Sequence, residues 1–225
     1  MRRVSAAVIA ALLRIFVLAE LLGRWPEMVG IVVIALLPKV GGGNRPIGVC
    51  PSFICLWMRM RLPVAQAWQL ANDRPYFFAG KAKGGDVAAR KQAARAEVGA
   101  YDGLDHALAL LDIVKAFDGV PWDWLVKKAT TRGYNLWLLR LSIAVYALAR
   151  TIRCGKCYSA TVIARCGITA GGALATIELR VLLIVFLDYA CALSPRAIMT
   201  VYVDDMTVEA TARERDIVEI IAAVL

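Results

Sequence analysis

The chain has 225 residues, 60% of them apolar, and a net charge of +9. The apolar content excludes a disordered chain, the length fits one large domain or two small lobes, and the charge favours a polyanionic partner. The charge is uneven: residues 1–105 carry 14 Lys/Arg against 7 Asp/Glu (+7), and residues 106–225 carry 13 against 11 (+2). The first part is suited to nucleic acid and the second has acids free for chemistry, with a merely solvated basic surface as the plain alternative.

In chain order, residues 4–22 predict a helix ended by Trp25-Pro26. Val29–Leu37 is a β-branched apolar run that reads as a buried strand. Gly41-Gly42-Gly43-Asn44 is a turn, and Arg45–Val49 a short strand. Pro51 opens a helix to about Leu70. Residues 72–85 are loop-like, and 86–100 read as an exposed basic helix. A strand over Ala107–Val114 carries Asp112 at its end. Helices follow at 121–132 and 135–149, then a hairpin over 150–164 turning at Gly155-Lys156. A Gly-bearing turn at 167–172 leads to a buried helix, 173–192. Strands Ala197–Val203 and Met206–Ala210 flank Asp204-Asp205, and a last amphipathic helix covers 211–224. Strands and hairpins mixed with helices give an α+β fold.

Two cheaper readings compete with this pattern. Cys154-Gly-Lys-Cys157 has zinc-like spacing, but a structural Zn²⁺ needs about four ligands, no second CxxC follows, and His106 is the single His. Most of the six cysteines sit in apolar runs, where Cys acts as a small hydrophobe. Met1-Arg2-Arg3 before an apolar run resembles a targeting segment, yet Arg14 and Glu20 interrupt it. Val181–Leu193 is also apolar, but Glu178, Arg180 and Asp188 lie in or beside it, each costing about 2.5–3.5 kcal/mol at a bilayer centre. No stable membrane association is expected, and a small basic membrane-associated protein stands as the outlying alternative.

The chemistry concentrates in two segments. In Tyr202-Val203-Asp204-Asp205-Met206, adjacent carboxylates occupy a turn between apolar strands. Their repulsion is relieved by a hard divalent cation, because Mg²⁺ takes carboxylate oxygens. A solvated Asp-rich turn is the alternative. In Leu111-Asp112-Ile113-Val114-Lys115-Ala116-Phe117-Asp118, a carboxylate closes a buried strand and an aromatic lies five residues on. A helix-capping Asp is the alternative there.

Taken together and in this order, these blocks resemble the reverse transcriptase family. Asp112 with Ala116-Phe117-Asp118 is similar to the family's first catalytic block, and Tyr202 to Asp205 to its Tyr-x-Asp-Asp block. The resemblance implies catalytic and metal-binding roles for Asp112, Asp204 and Asp205, with two Mg²⁺ ions and Mn²⁺ as a substitute. It implies that Phe117 packs under the incoming sugar and excludes a 2′-hydroxyl. Asp118 matches a family residue that is not a metal ligand. Leu37-Pro38-Lys39 and Gly42-Gly43-Asn44-Arg45-Pro46-Ile47 look like the family's fingers hairpin, in which Lys39 and Arg45 would grip the triphosphate. Gly167–Ala173 resembles the block supporting the templating base and the nucleotide. Gly171 supplies the backbone freedom this needs, but Ala170 stands where the family often has Gln. Cys55 stands where related helices often have a basic residue.

The resemblance implies a right-hand polymerase with fingers over 1–105 (N-terminal helix, nucleotide-binding hairpin, basic helix) and palm over 106–225. Residues 122–165 would contribute helices and a hairpin toward the fingers. The thumb is expected to be absent, so that a second chain or a further segment would supply one. The expected activity is template-directed DNA synthesis, with an RNA template, a DNA primer and dNTPs as partners, in a non-LTR-type retroelement. Arg45-Pro46-Ile47 and Ala116-Phe117-Asp118 lean to that type over retroviral enzymes. The alternative in the same family is an inactive relic that binds nucleic acid. The expected compartment is intracellular, the nucleus being one option.

Overall fold

The computed structural model describes residues 5–80 and 83–224. Its elements in chain order begin with α1 (Ala6–Leu22), β1 (Ile31–Pro38), β2 (Asn44–Val49), α2 (Ser52–Ala71), α3 (Gly85–Tyr101) and β3 (Asp105–Asp112). Then come α4 (Trp122–Thr131), α5 (Leu136–Tyr146), β4 (Ala149–Cys154), β5 (Cys157–Tyr158) and β6 (Val162–Ile163). The chain continues through α6 (Ala175–Leu193), β7 (Ile198–Tyr202), β8 (Asp205–Ala212) and α7 (Glu214–Ala222). It divides into two units, one of Met1–Leu70 with Phe117–Val181 and the other of Ala71–Ala116 with Leu182–Leu225. The α+β class read from the sequence is borne out. Met1-Arg2-Arg3 lies outside the described residues.

The first unit holds a mixed sheet. Strand β1 pairs antiparallel with β2 and parallel with β4, and β4 pairs antiparallel with β5 and β6. Helices α1, α2 and α5 supply its core. Trp57 and Ile54 of α2 are fully buried, and each such side chain contributes roughly 1.5–3 kcal/mol. Trp25 sits edge-on to Trp57 at 5.3 Å, and Phe16 lies 4.6 Å from Phe53. One carboxylate organises this corner: Glu20 accepts from Trp57 Nε1 (2.7 Å) and from Arg61 Nε and Nη2 (2.5 and 2.8 Å). Arg140 Nη2 donates to the carbonyls of Glu20 and Leu21, satisfying the open end of α1.

The second unit is a three-stranded antiparallel sheet, β3-β8-β7. One face packs Val201, Val208 and Met199 on Tyr76, Phe77, Ile184 and Leu187, and Ala210 on Ile217 and Ile220 of α7. The other face receives α3: Gln92 Nε2 donates to Thr207 Oγ1 (2.5 Å), and Arg95 pairs with the buried carboxylate of Glu209. At the next turn of α3, a Cβ on Gly99 would come within 2.5 Å of Thr211 Cγ2, so a side chain there would force Thr211 or the helix to shift. Helix α3, grouped above with residues 1–105, therefore packs within the second unit. The outer edge of β7 is covered where Phe78 N donates to Val201 O and Val201 N to Tyr76 O, each 2.8 Å.

Helix α1 ends at Leu22, as read from the sequence, but the stop is Gly23 rather than Trp25-Pro26: Gly23 adopts a left-handed φ of 66° and closes the helix with its own N–H. Other boundaries differ from the sequence reading. Strand β3 stops at Asp112, where a turn follows with Lys115 at φ 54°. The last helix starts at Glu214, because β8 continues through Ala212 to pair with Asp105. Among the described residues no helix is long and apolar enough to cross a membrane.

Candidate active site

The second unit brings the acidic residues together. Asp112, the last residue of β3, is the direct cross-strand partner of Asp205, the first residue of β8. Asp205 also pairs with Tyr202 of β7, which leaves Val203-Asp204 as the two-residue turn. Directly opposed residues of an antiparallel pair project from the same face, with Cβ atoms about 4.5–5.5 Å apart. Asp112 and Asp205 are exposed and Asp204 is half-exposed. None of the three makes an ion pair or side-chain hydrogen bond among the described residues. They form a small uncompensated field of negative charge at one end of the sheet.

The backbone around them is strained. The non-glycine residues with positive φ among those described are Lys115 (54°) and Val203 (63°). One immediately precedes Asp204, and the other lies three residues after Asp112. A left-handed φ is a true outlier for a β-branched side chain. Strain of this kind costs of order 1–3 kcal/mol and gathers at sites where geometry serves function. Sequence reasoning missed it, because Val203 in an apolar run carries a strand signal and no turn signal.

The donor set suits a hard cation: three carboxylates, all oxygen, none neutralised by a protein cation. Among the described residues no three His, Cys, Asp or Glu side chains are gathered closely enough to hold an ion as they stand. As they stand, the three carboxylates form an open set.

The first unit holds the other candidate residues. The β1–β2 turn is closed by Lys39 N donating to Gly43 O (3.1 Å) and Gly42 N to Lys39 O (3.1 Å), with Gly42 and Gly43 at φ 90° and 77°. Arg45 lies opposite Leu37 in the register, so Lys39 and Arg45 flank one glycine turn. Both side chains are exposed, and neither forms an ion pair among the described residues.

Gly171 and Phe117 belong to the same scaffold. Ile168 N donates to Phe117 O (2.8 Å), Gly167 N to Val120 O (2.7 Å), and Trp122 Nε1 to Gly167 O (2.8 Å). On the other side, Gly48 N of β2 donates to Ala170 O (2.9 Å). The approach is close enough that a Cβ on Gly171, at φ 104°, would fall 2.8 Å from Gly48 O. Turn 167–172 is thus bolted to the Phe117 segment and to the strand carrying Arg45. Arg150 Nη2 adds a bond to Thr169 Oγ1 (3.3 Å) and one to Tyr146 O (3.0 Å). No feature of the sequence marks Arg150 or Thr169 for this role.

Behind this scaffold lies a buried carboxyl. Glu178 accepts from Tyr146 (2.5 Å) and Tyr134 (3.4 Å). Burial pushes its pKa up to about 7, against the lowering effect of the tyrosine hydrogen bonds. Both tyrosines are raised well above their ordinary value, by burial first and by Glu178 second.

A family model described as reverse transcriptase (RNA-dependent DNA polymerase) matches residues 37–225. No curated protein sequence matches the chain. Among solved structures, apo telomerase from Candida tropicalis superposes with a TM-score of 0.61 at 10% identity, over 97% of this chain and 46% of that one. Telomerase from Candida albicans, in complex with a TWJ fragment of telomeric RNA, gives a TM-score of 0.58 at 13% identity, over 89% and 41%. The chain spans less than half the length of either relative, and the likeness shows a shared fold.

Proposed function

The chain belongs to the reverse transcriptase (RNA-dependent DNA polymerase) family, and from that premise we propose that it carries out DNA synthesis on an RNA template by two-metal nucleotidyl transfer within a non-LTR-type retroelement. The observation that carries the reading is the register of Asp112 against Asp205, with Asp204 in the adjoining strained turn. Those three carboxylates would hold the metal, Asp112 and Asp204 as the principal ligands and Asp205 in support. Bound there, Mg²⁺, or Mn²⁺ in its place, would lower the pKa of a primer 3′-hydroxyl and neutralise charge on the departing pyrophosphate.

The remaining roles fall to the first unit. Lys39 and Arg45, which form no ion pair among the described residues, lie on either side of a glycine turn, an arrangement suited to a triphosphate. Phe117 would lie against the sugar and exclude the 2′-hydroxyl. Gly171 would bring bare backbone to the nucleotide, on a turn that β2 and Arg150 hold in place. Residues 1–105 are read as fingers and 106–225 as palm, with 122–165 contributing helices and a hairpin toward the fingers and α3 packing on the β3-β8-β7 sheet. An RNA template, a DNA primer and dNTPs are the proposed partners; support for the RNA comes from the Candida albicans relative, which was captured with a fragment of telomeric RNA. Retroelement origin rests on Arg45-Pro46-Ile47 and Ala116-Phe117-Asp118. Primer extension on an RNA template, run beside Asp204→Asn, tests the reading.

A further inference from the structure

The geometry points to a second metal site, independent of the carboxylates: a two-thiolate chelate for a soft monovalent cation, Cu(I), formed by Cys154 and Cys157. The two cysteines are direct register partners closing the β4–β5 hairpin, with Gly155-Lys156 as the turn and Gly155 at φ 60°. Register partners project from the same face. Both thiols are free and exposed, so an ion reaches them from solvent.

Distance decides between the chemistries open to such a pair. A disulfide needs Cβ atoms about 3.5–4.5 Å apart and sulfurs about 2.05 Å apart. Opposed residues of an antiparallel pair have Cβ atoms about 4.5–5.5 Å apart, which is wide for that bond. A bridging metal relaxes the demand: at the zinc–thiolate length of about 2.3 Å, two sulfurs on one ion can stand up to about 4.6 Å apart. A structural Zn²⁺ would want about four ligands, and among the described residues no third His, Cys, Asp or Glu joins the pair. Soft thiolates select Cu(I), and two of them complete its low coordination number.

Charge supports the assignment. Two thiolates and one Cu(I) leave a net charge of −1, and Lys156 in the turn and Arg153 beside it supply compensating cations. Arg153 is held at the turn by donating from Nε to Gly155 O (3.0 Å). On binding, two S–H bonds break, two S–Cu bonds form and two protons pass to the buffer, with no change in oxidation state. Cys50 does not compete, because burial pushes its thiol up to about 11.

The test titrates the reduced chain, without oxygen, against Cu(I) held by the chromophoric chelator bicinchoninate. The expected result is one equivalent of Cu(I) withdrawn per chain. Cys154→Ser and Cys157→Ser should each abolish the withdrawal, Cys166→Ser should retain it, and native mass spectrometry should show one copper on the folded chain. Failure of the folded wild type to withdraw copper would overturn the site. So would equal withdrawal by the double serine variant, or uptake of half an equivalent per chain, which would mean a bridge between copies.

Discussion

Asp112 and Asp205 stand directly opposite one another across the β3–β8 ladder, at the end where the sheet opens to solvent. Like charges so placed destabilise a sheet, so the pair does not serve to stabilise the fold. Asp112→Asn and Asp205→Asn are each expected to leave the melting temperature unchanged or slightly raised. Asp112→Asn should abolish synthesis, and Asp205→Asn should weaken it. Thermal melting read beside primer extension checks this; a clear fall in melting temperature would make the pair structural.

Val203 holds φ 63° at the turn before Asp204. Relief of such strain is worth of order 1–3 kcal/mol, against about 0.5–1 kcal/mol for the added freedom of glycine in the unfolded chain. Val203→Gly should therefore stabilise the fold by about 1 kcal/mol in denaturant unfolding while lowering activity, because the turn then no longer fixes Asp204. Loss of stability would mean that the strain is not released there.

Gly171 meets both conditions that forbid a side chain, a φ of 104° and a Cβ position 2.8 Å from Gly48 O. Gly171→Ala should cost about 1–3 kcal/mol and raise the KM for dNTP more than it lowers kcat, since turn and β2 must part. Unchanged stability would remove the close approach from the account.

Glu178 gives the fold a pH dependence of definite sign. Its folded pKa, about 7, lies above the ordinary value of 4.5, so the folded state holds the proton more tightly. Its contribution is fully present below about pH 4.5 and is lost as pH rises through 7, a change of roughly 3 kcal/mol at most. Glu178→Gln should flatten unfolding free energy across this window. A wild-type profile that rises with pH there, at the expense of the protonated form, would contradict it.

Much of this architecture was legible in the chain because its signals are local. The Gly155-Lys156 turn, the β1–β2 hairpin and the strands around Asp204-Asp205 follow from turn residues and apolar runs, and the structure places each within a few residues. What the sequence concealed is non-local. Nothing in it pairs Arg150 with Thr169, sets Glu20 between Trp57 and Arg61, or buries Glu178 under two tyrosines. The positive φ of Val203 was hidden for another reason, because tertiary context overrode a residue whose own preference is extended. Likewise α3 reads as a solvated basic helix, yet Arg95 points inward to Glu209 on the sheet.

The most direct test of the central claim is primer extension by the purified chain on an RNA template, with a DNA primer, dNTPs and Mg²⁺, run beside Asp204→Asn. The expected result is extension by the wild type that is lost in the variant, with both chains equally folded by circular dichroism. Equal extension by the two would contradict the role of Asp204, and no extension from a folded wild type that still retains primer–template would favour the inactive relic.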